Sequence, residues 1–308
     1  MDPVTIFALL GSVFMGISIG ASSVAPAFGP VNSSGAVNVL RAALLAGIFA
    51  LVGSIVQGGN VANTVGSGIL MGSISVLQAA TVLIVASALV IVSFLTDYPM
   101  PTAFTVVGAV IGSAFSFGNA VSWSVFSGTA LYWLLVPFFA AGLAYVLAKA
   151  LREIVPNKDS SKLKYLLVVS GCYMAYTAGA GSVGLAVGPL SSLELPQLFL
   201  LTLGGLAILA GSWIYSPRII KAVSYDYSNI GPRRSIASLL SAAFLAQIGI
   251  FYGVPISFNE AIIAAVIGSG LVEGGSSVDG RKLGRTVLAW IGAFLLAGVL
   301  TFAVGLLI

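Results

Sequence analysis

The chain has 308 residues, of which 58% are hydrophobic and only 7% charged, with a net charge of +4. That balance excludes a soluble globular domain and marks an all-α integral membrane protein of many apolar spans. Histidine is absent and Cys172 is the single cysteine. This excludes Ser-His catalysis, histidine-ligated zinc, histidine proton relays and an internal disulfide.

Met1-Asp2-Pro3 lacks a charged n-region, so residues 4–23 read as the first span rather than a removable signal. Further runs of spanning length follow at 42–56, 75–95, 101–117 and 131–148. A basic stretch, 149–164, holds Lys149, Arg152, Lys158, Lys162 and Lys164. Five more runs come after it, at 165–178, 196–215, 236–252, 257–272 and 286–306. Positive residues mark cytoplasmic loops. Residues 149–164, 218–234 and 281–285 therefore face the cytoplasm, and both termini lie outside. The positive charge reads as topology, not as a nucleic-acid surface.

Five spans is an odd number, so two copies of one unit on either side of the basic stretch have opposite orientations. The reading is two inverted-topology repeats, 1–148 and 165–308, joined by a linker at 149–164. Residues 20–30 and 179–189 support it. They share the frame Gly-Ala-x-Ser-Val-x-x-Ala-x-Gly-Pro. Glycine and proline at membrane depth predict a broken or re-entrant helix in each copy. Freed backbone groups there need partners inside the protein or against a cavity. A second match aligns Pro99 with Pro255 and Gly112 with Gly268. These prolines stand 79 and 76 residues after Gly20 and Gly179 respectively, so the order is kept.

The broken segments supply hydrogen-bond donors and helix dipoles without lysine or arginine, a combination suited to an anion. The candidate substrate-binding residues are Ser22, Ser23, Gly181, Ser182, Thr102, Ser257 and Asn259. Glu260 is the acidic residue that opens an apolar helix, and an ionisable group there is a candidate to carry a proton or ligate a cation. No metal site is assigned. Gln57, Asn60, Asn63 and Thr64 form a polar patch that either lines a vestibule or turns the chain.

The motifs resemble those of the inorganic phosphate transporter (PiT) family, which includes sulfate permeases. Its members carry Gly-Ala-Asn-Asp-Val-Ala-Asn-Ala-x-Gly near the start of each half. Here the places read Gly20-Ala21-Ser22-Ser23-Val24-Ala25-Pro26-Ala27-Phe28-Gly29 and Gly179-Ala180-Gly181-Ser182-Val183-Gly184-Leu185-Ala186-Val187-Gly188. Later in each half the family has Pro-Val-Ser-Thr-Thr-His. This chain has Pro99-Met100-Pro101-Thr102-Ala103-Phe104 and Pro255-Ile256-Ser257-Phe258-Asn259-Glu260. Both family aspartates are serines here, Ser23 and Ser182, while Thr102 and Ser257 keep the family hydroxyls.

The resemblance implies a non-enzymatic permease for a tetrahedral oxyanion, phosphate ahead of sulfate, in the cell membrane. It implies alternating access, with sodium or a proton as coupling ion and no other cofactor. The lost carboxylates weaken the case for sodium, because hydroxyls and carbonyls alone hold a hard cation weakly. Partners are the anion, the bilayer and, in one version, a second copy of the chain. The competing readings are a passive anion channel and a membrane subunit without transport.

Overall fold

The structure is a computed structural model that describes residues 2–33, 35–95, 101–155, 161–226, 231–273 and 280–308. In the first half α1 (Pro3–Ile19) passes into a π-helical turn (Gly20–Val24), a 3-10 turn (Ala25–Phe28) and the short α2 (Gly29–Ser33). Then come α3 (Val39–Gln57), α4 (Gly59–Asn63), a second π turn (Thr64–Gly68), α5 (Val76–Leu95), α6 (Thr102–Phe117) and α7 (Trp123–Ile154). The second half has α8 (Ser161–Val187) with a 3-10 turn (Gly188–Leu193), α9 (Gln197–Asp226), α10 (Pro232–Phe251), α11 (Phe258–Gly270) and α12 (Gly280–Gly305). A two-residue ladder, Leu70–Met71 with Ala120–Val121, is the strand pairing among the described residues.

Caps and composition explain the ends. Asp2 caps α1, its carboxylate accepting from the Thr5 N–H at 2.8 Å, and Pro3 stands at the first helical position. The Thr5 hydrogen bonds hold the Asp2 carboxyl below the ordinary range. Asn38 caps α3 in the same way, accepting from the Arg41 N–H at 2.9 Å.

The ten sequence runs correspond to ten apolar helical segments. Among the described residues seven are long and apolar enough to cross a membrane, and three are shorter. Two of the short ones, α6 and α11, have 16 and 13 residues. At 1.5 Å per residue they reach only about 24 and 20 Å, less than the ~30 Å hydrocarbon core. Before α11 the missing depth is covered by chain without helix at Val254, Pro255, Ile256 and Ser257. Both helices therefore begin inside the protein, with Thr102 and Phe258 buried.

One expectation needs correction. The second frame predicts a broken helix over residues 179–189, but α8 keeps regular geometry to Val187. The cause is visible in the two frames. The first copy has Pro26 where the second has Leu185, and the second copy meets its proline only at Pro189. Glycine alone does not break a helix whose flanks are packed, so the break waits for Gly188.

Packing pairs correspond between the halves. α1 packs on α5 as α8 packs on α10, α1 on α9 as α8 on α3, and α6 on α12 as α11 on α7. Glycines set these crossings. A Cβ on Gly20 would lie 2.0 Å from the Ile208 carbonyl oxygen, and one on Gly179 would lie 2.0 Å from that of Ala50. Gly112 meets the Gly298 oxygen and Gly268 the Ala141 oxygen at the same 2.0 Å. No side chain fits such contacts, so backbone meets backbone as small residues allow in membrane bundles. This correspondence is consistent with the repeat. α8 sits deepest among the long spans, 72% buried over its most apolar window, against 22% for α7 and α12. α7 and α12 turn Leu134, Phe138, Phe139, Leu288, Leu295 and Val299 outward as an apolar surface for lipid.

Candidate functional site

One hydroxyl-bearing turn, the matching stretch of α8 and two helix starts form the candidate site. At the end of α1 the π turn places Ser22 and Ser23 side by side, their Oγ atoms 3.4 Å apart. The Ser22 hydroxyl also donates to the Ser18 carbonyl at 2.8 Å. Ser23 is buried and reaches across to α6, where its Oγ lies 3.2 Å from Thr102 Oγ1. A π turn is a strained device found often at functional places. Here it aims Ser23 at a residue 79 positions away.

α6 begins at Thr102 with no side-chain cap. Thr105 donates to the Pro101 carbonyl at 3.0 Å, so its hydroxyl is spent inside the helix. α11 likewise begins uncapped, because Ser257 at its N-cap makes no capping bond. Ser257 Oγ is buried and has no hydrogen-bond partner among the described residues. The same holds for Ser182 Oγ on α8. A helix start buried without partners leaves N–H donors and the positive end of the dipole exposed to whatever lies beside it. Buried orphan hydroxyls are rare and ask for an explanation.

In the second half the counterpart of Thr102 is Phe258. Its ring lies against α8 so closely that a Cβ on Gly181 would come within 2.7 Å of it. Gly181 stands where the first motif has Ser22. A hydroxyl pair on one side is thus an aromatic ring over a glycine on the other, and Ser182 is left without the partner Ser23 has. α8 also packs against the first π turn and against α6, which brings the two motifs to one region.

Asn259 and Glu260 follow on the first turn of α11, both buried. The first-half counterpart of Glu260 is Phe104, which stacks on Trp133 with centroids 3.9 Å apart. Trp133 in turn donates its indole N–H to the Pro255 carbonyl at 2.7 Å, fixing the chain just before Ser257. The charged residues of α7 lie toward its far end, at Lys149, Arg152 and Glu153, and those of α10 at its start, Arg233 and Arg234. At the level of Glu260 the packed helices α7 and α10 offer Tyr132, which hydrogen-bonds the Leu245 carbonyl. Among the described residues no three of His, Cys, Asp and Glu cluster as a metal site.

The polar patch at residues 57–64 is tied into the fold. Gln197 Nε2 donates to Asn63 Oδ1 at 2.9 Å, and Asn60 Nδ2 donates to the Phe251 carbonyl at 3.1 Å. Ser22, Ser23 and Thr102 come together, while Gly181 and Ser182 lie on α8, which packs against the first π turn and α6. Phe258, Trp133 and the amide contacts of Asn60 were not expected. An aromatic in an apolar segment reads as core, and no local pattern links Asn60 to a carbonyl 191 residues away.

Comparison with known proteins agrees with this architecture. A family model described as "Phosphate transporter family" matches residues 19–301. A Bacillus subtilis (strain 168) protein named sulfate permease CysP is 28% identical, over 92% of this chain and 82% of that one. Inorganic phosphate transporter 2-1, chloroplastic, from Arabidopsis thaliana is 22% identical, over 92% of this chain and 68% of that one. A solved structure titled "The sodium-dependent phosphate transporter" superposes with a TM-score of 0.88 at 19% identity, covering 99% of both chains. The fold is that of this transporter, and the chain belongs to the phosphate transporter family.

Proposed function

We propose that this chain is a secondary transporter that moves a tetrahedral inorganic oxyanion, phosphate first, by alternating access of two inverted repeats, 1–148 and 165–308. The observation that carries the reading is the pair of buried, uncapped helix starts at Thr102 and Phe258, with the Ser23–Thr102 hydroxyl pair at the first and the Ser257 hydroxyl, unpartnered among the described residues, at the second. Such a surface donates hydrogen bonds and carries partial positive charge. It holds an anion without a lysine or arginine. Ser23, Thr102, Ser182, Ser257 and Asn259 supply side-chain donors, Ser22 flanks them with its hydroxyl on the Ser18 carbonyl, and Gly181 lets the Phe258 ring lie against the backbone. The corresponding packing of the halves supplies the two-fold machinery that lets one site open to either face.

Glu260 is the coupling residue. It is buried and has no basic partner at its level among the described residues, so it must either carry a proton or hold a cation for its charge to be tolerated. The coupling ion is sodium or a proton. The protein is multi-pass in the cell membrane, with both termini outside and the 149–164 stretch cytoplasmic. The outward apolar faces of α7 and α12 meet lipid or, in a homodimer, a second copy.

Sulfate is the second reading, and one observation favours it. Ser23 and Ser182 replace carboxylates with donors. Sulfate needs donors alone, whereas phosphate brings a proton that needs an acceptor. The named activities of the relatives support both anions. Counterflow in proteoliposomes loaded with phosphate or sulfate, with and without sodium, tests the reading. Exchange of one anion above empty-vesicle background is expected, and no exchange of either ends the proposal. Under a proton or sodium gradient the Glu260→Gln variant should still exchange but no longer accumulate substrate; accumulation at the parent level removes Glu260 from coupling.

A further inference from the structure

We infer that Asn60, with the Gln57–Gln247 pair, latches the chain that feeds the anion site and so gates the site on that face of the protein. The inference rests on the transport reading above but concerns residues outside the site.

The segment from Gln57 to Gly68 belongs to the first half, yet its side chains bond to the second. Gln247 Nε2 of α10 donates to Gln57 Oε1 at 2.7 Å. Asn60 Nδ2 donates to the carbonyls of Phe251 at 3.1 Å and Ile250 at 3.4 Å. Those are the last residues of α10. Immediately beyond them Gly253 turns the chain with φ +70°, and a Cβ there would meet Thr64 Oγ1 at 2.7 Å. The turn leads directly to Ser257, Asn259 and Glu260. One side of this connection is held by Trp133 through the Pro255 carbonyl. The other side is held by Asn60.

The two anchors differ. Trp133 is buried, whereas Asn60 is exposed. Asn60 and Gln57 also line a cavity of about 340 Å³ with Gln197, Leu201 and Ile250. Water in that cavity can replace each amide bond as it breaks, so this anchor exchanges where the indole bond does not. The local backbone is also irregular. α3 stops at Gln57, α4 has five residues and a π turn follows. A short irregular segment tied by solvent-accessible amides is suited to moving as a unit. Released, it frees the end of α10 and the turn at Gly253, and uncovers Ser257.

The single native cysteine permits a direct test. In a Cys172→Ser, Ser257→Cys background in proteoliposomes, a small methanethiosulfonate is supplied on both faces and the rate of labelling at position 257 is measured without substrate. Asn60→Asp keeps the shape of the side chain but removes its N–H donor. Gln247→Met removes the amide while keeping length. Each should raise the labelling rate by about tenfold, the scale of one lost hydrogen bond. Thr202→Val breaks a bond to the Leu198 carbonyl on neighbouring α9 and should leave the rate unchanged. Equal rates in the parent and both latch variants, or an equal rise in Thr202→Val, overturns the inference. Because no substrate is present, an error in the assigned anion leaves this result readable.

Discussion

Residues 20–30 and 179–189 share one frame and fold in two ways. The first copy leaves α geometry at Gly20 and passes through a π and a 3-10 turn, while the second stays helical to Val187. Their crossings are nonetheless matched, Gly20 against the Ile208 carbonyl and Gly179 against that of Ala50, both at 2.0 Å. What is shared is therefore the packing, set by glycines. What differs is the site, set by Pro26 against Leu185 and by Thr102 against Phe258. Two corresponding halves can keep matched seams while the candidate site residues differ, because the seams are backbone contacts and the site residues act through side chains.

The sharpest way to break this comparison is Leu185→Pro. Leu185 is fully buried within regular helix, so proline there removes a hydrogen bond and clashes with the preceding turn. A cost of about 3 kcal/mol or more is expected, read as loss of folded, monodisperse protein or a large drop in Tm. A folded variant with parent Tm would show that α8 tolerates the same break as α1, and that proline position does not explain the difference.

Next come the seams. Gly20→Ala and Gly179→Ala should each cost about 1–3 kcal/mol, the range for overpacking, because the added methyl meets backbone and not a movable side chain. Gly142→Ala is the control. Nothing lies within 4 Å of a Cβ there, so a change within about 0.5 kcal/mol is expected. Thermal unfolding in detergent measures all three. Equal losses at Gly20 and Gly179 sharpen the view that packing is the shared part. A loss at one alone would mean that the crossings are not equivalent.

These two cases also show what the sequence makes legible. The apolar runs locate ten helical segments because burial in lipid needs continuous hydrophobicity, and the repeated frames bring Ser23 and Ser182 forward. The uninterrupted course of α8 was hidden, since a Gly-rich motif reads as a break when it is in fact a crossing surface. The shortness of α11 is hidden for a different reason. The extended residues before α11 are as apolar as the helix itself. Phe258 carries no local signal, and only its place over Gly181 shows that an aromatic ring stands where the first half has the Thr102 hydroxyl. The amides of Gln57 and Asn60 stand out in the sequence, but their partners lie 190 and 191 residues away, and a fold is needed to bring them together.

The smallest expected effect separates the half-sites themselves. Ser23→Ala removes the partner of a buried threonine hydroxyl and leaves Thr102 Oγ1 unpaired. A buried polar group deprived of its partner costs about 1 kcal/mol or slightly more. Ser182→Ala removes a hydroxyl that has no partner among the described residues, so stability should hold or rise. Anion affinity should move the same way in both variants, weakening by up to about tenfold as one donor is lost. Tm without ligand and the ligand-dependent Tm shift, measured together with phosphate and with sulfate, give the two quantities for each variant. Equal destabilisation by both substitutions would mean that Ser182 is paired in the folded protein. A ligand shift unchanged in Ser182→Ala but reduced in Ser23→Ala would confine the anion to the first half, with Phe258 closing the second.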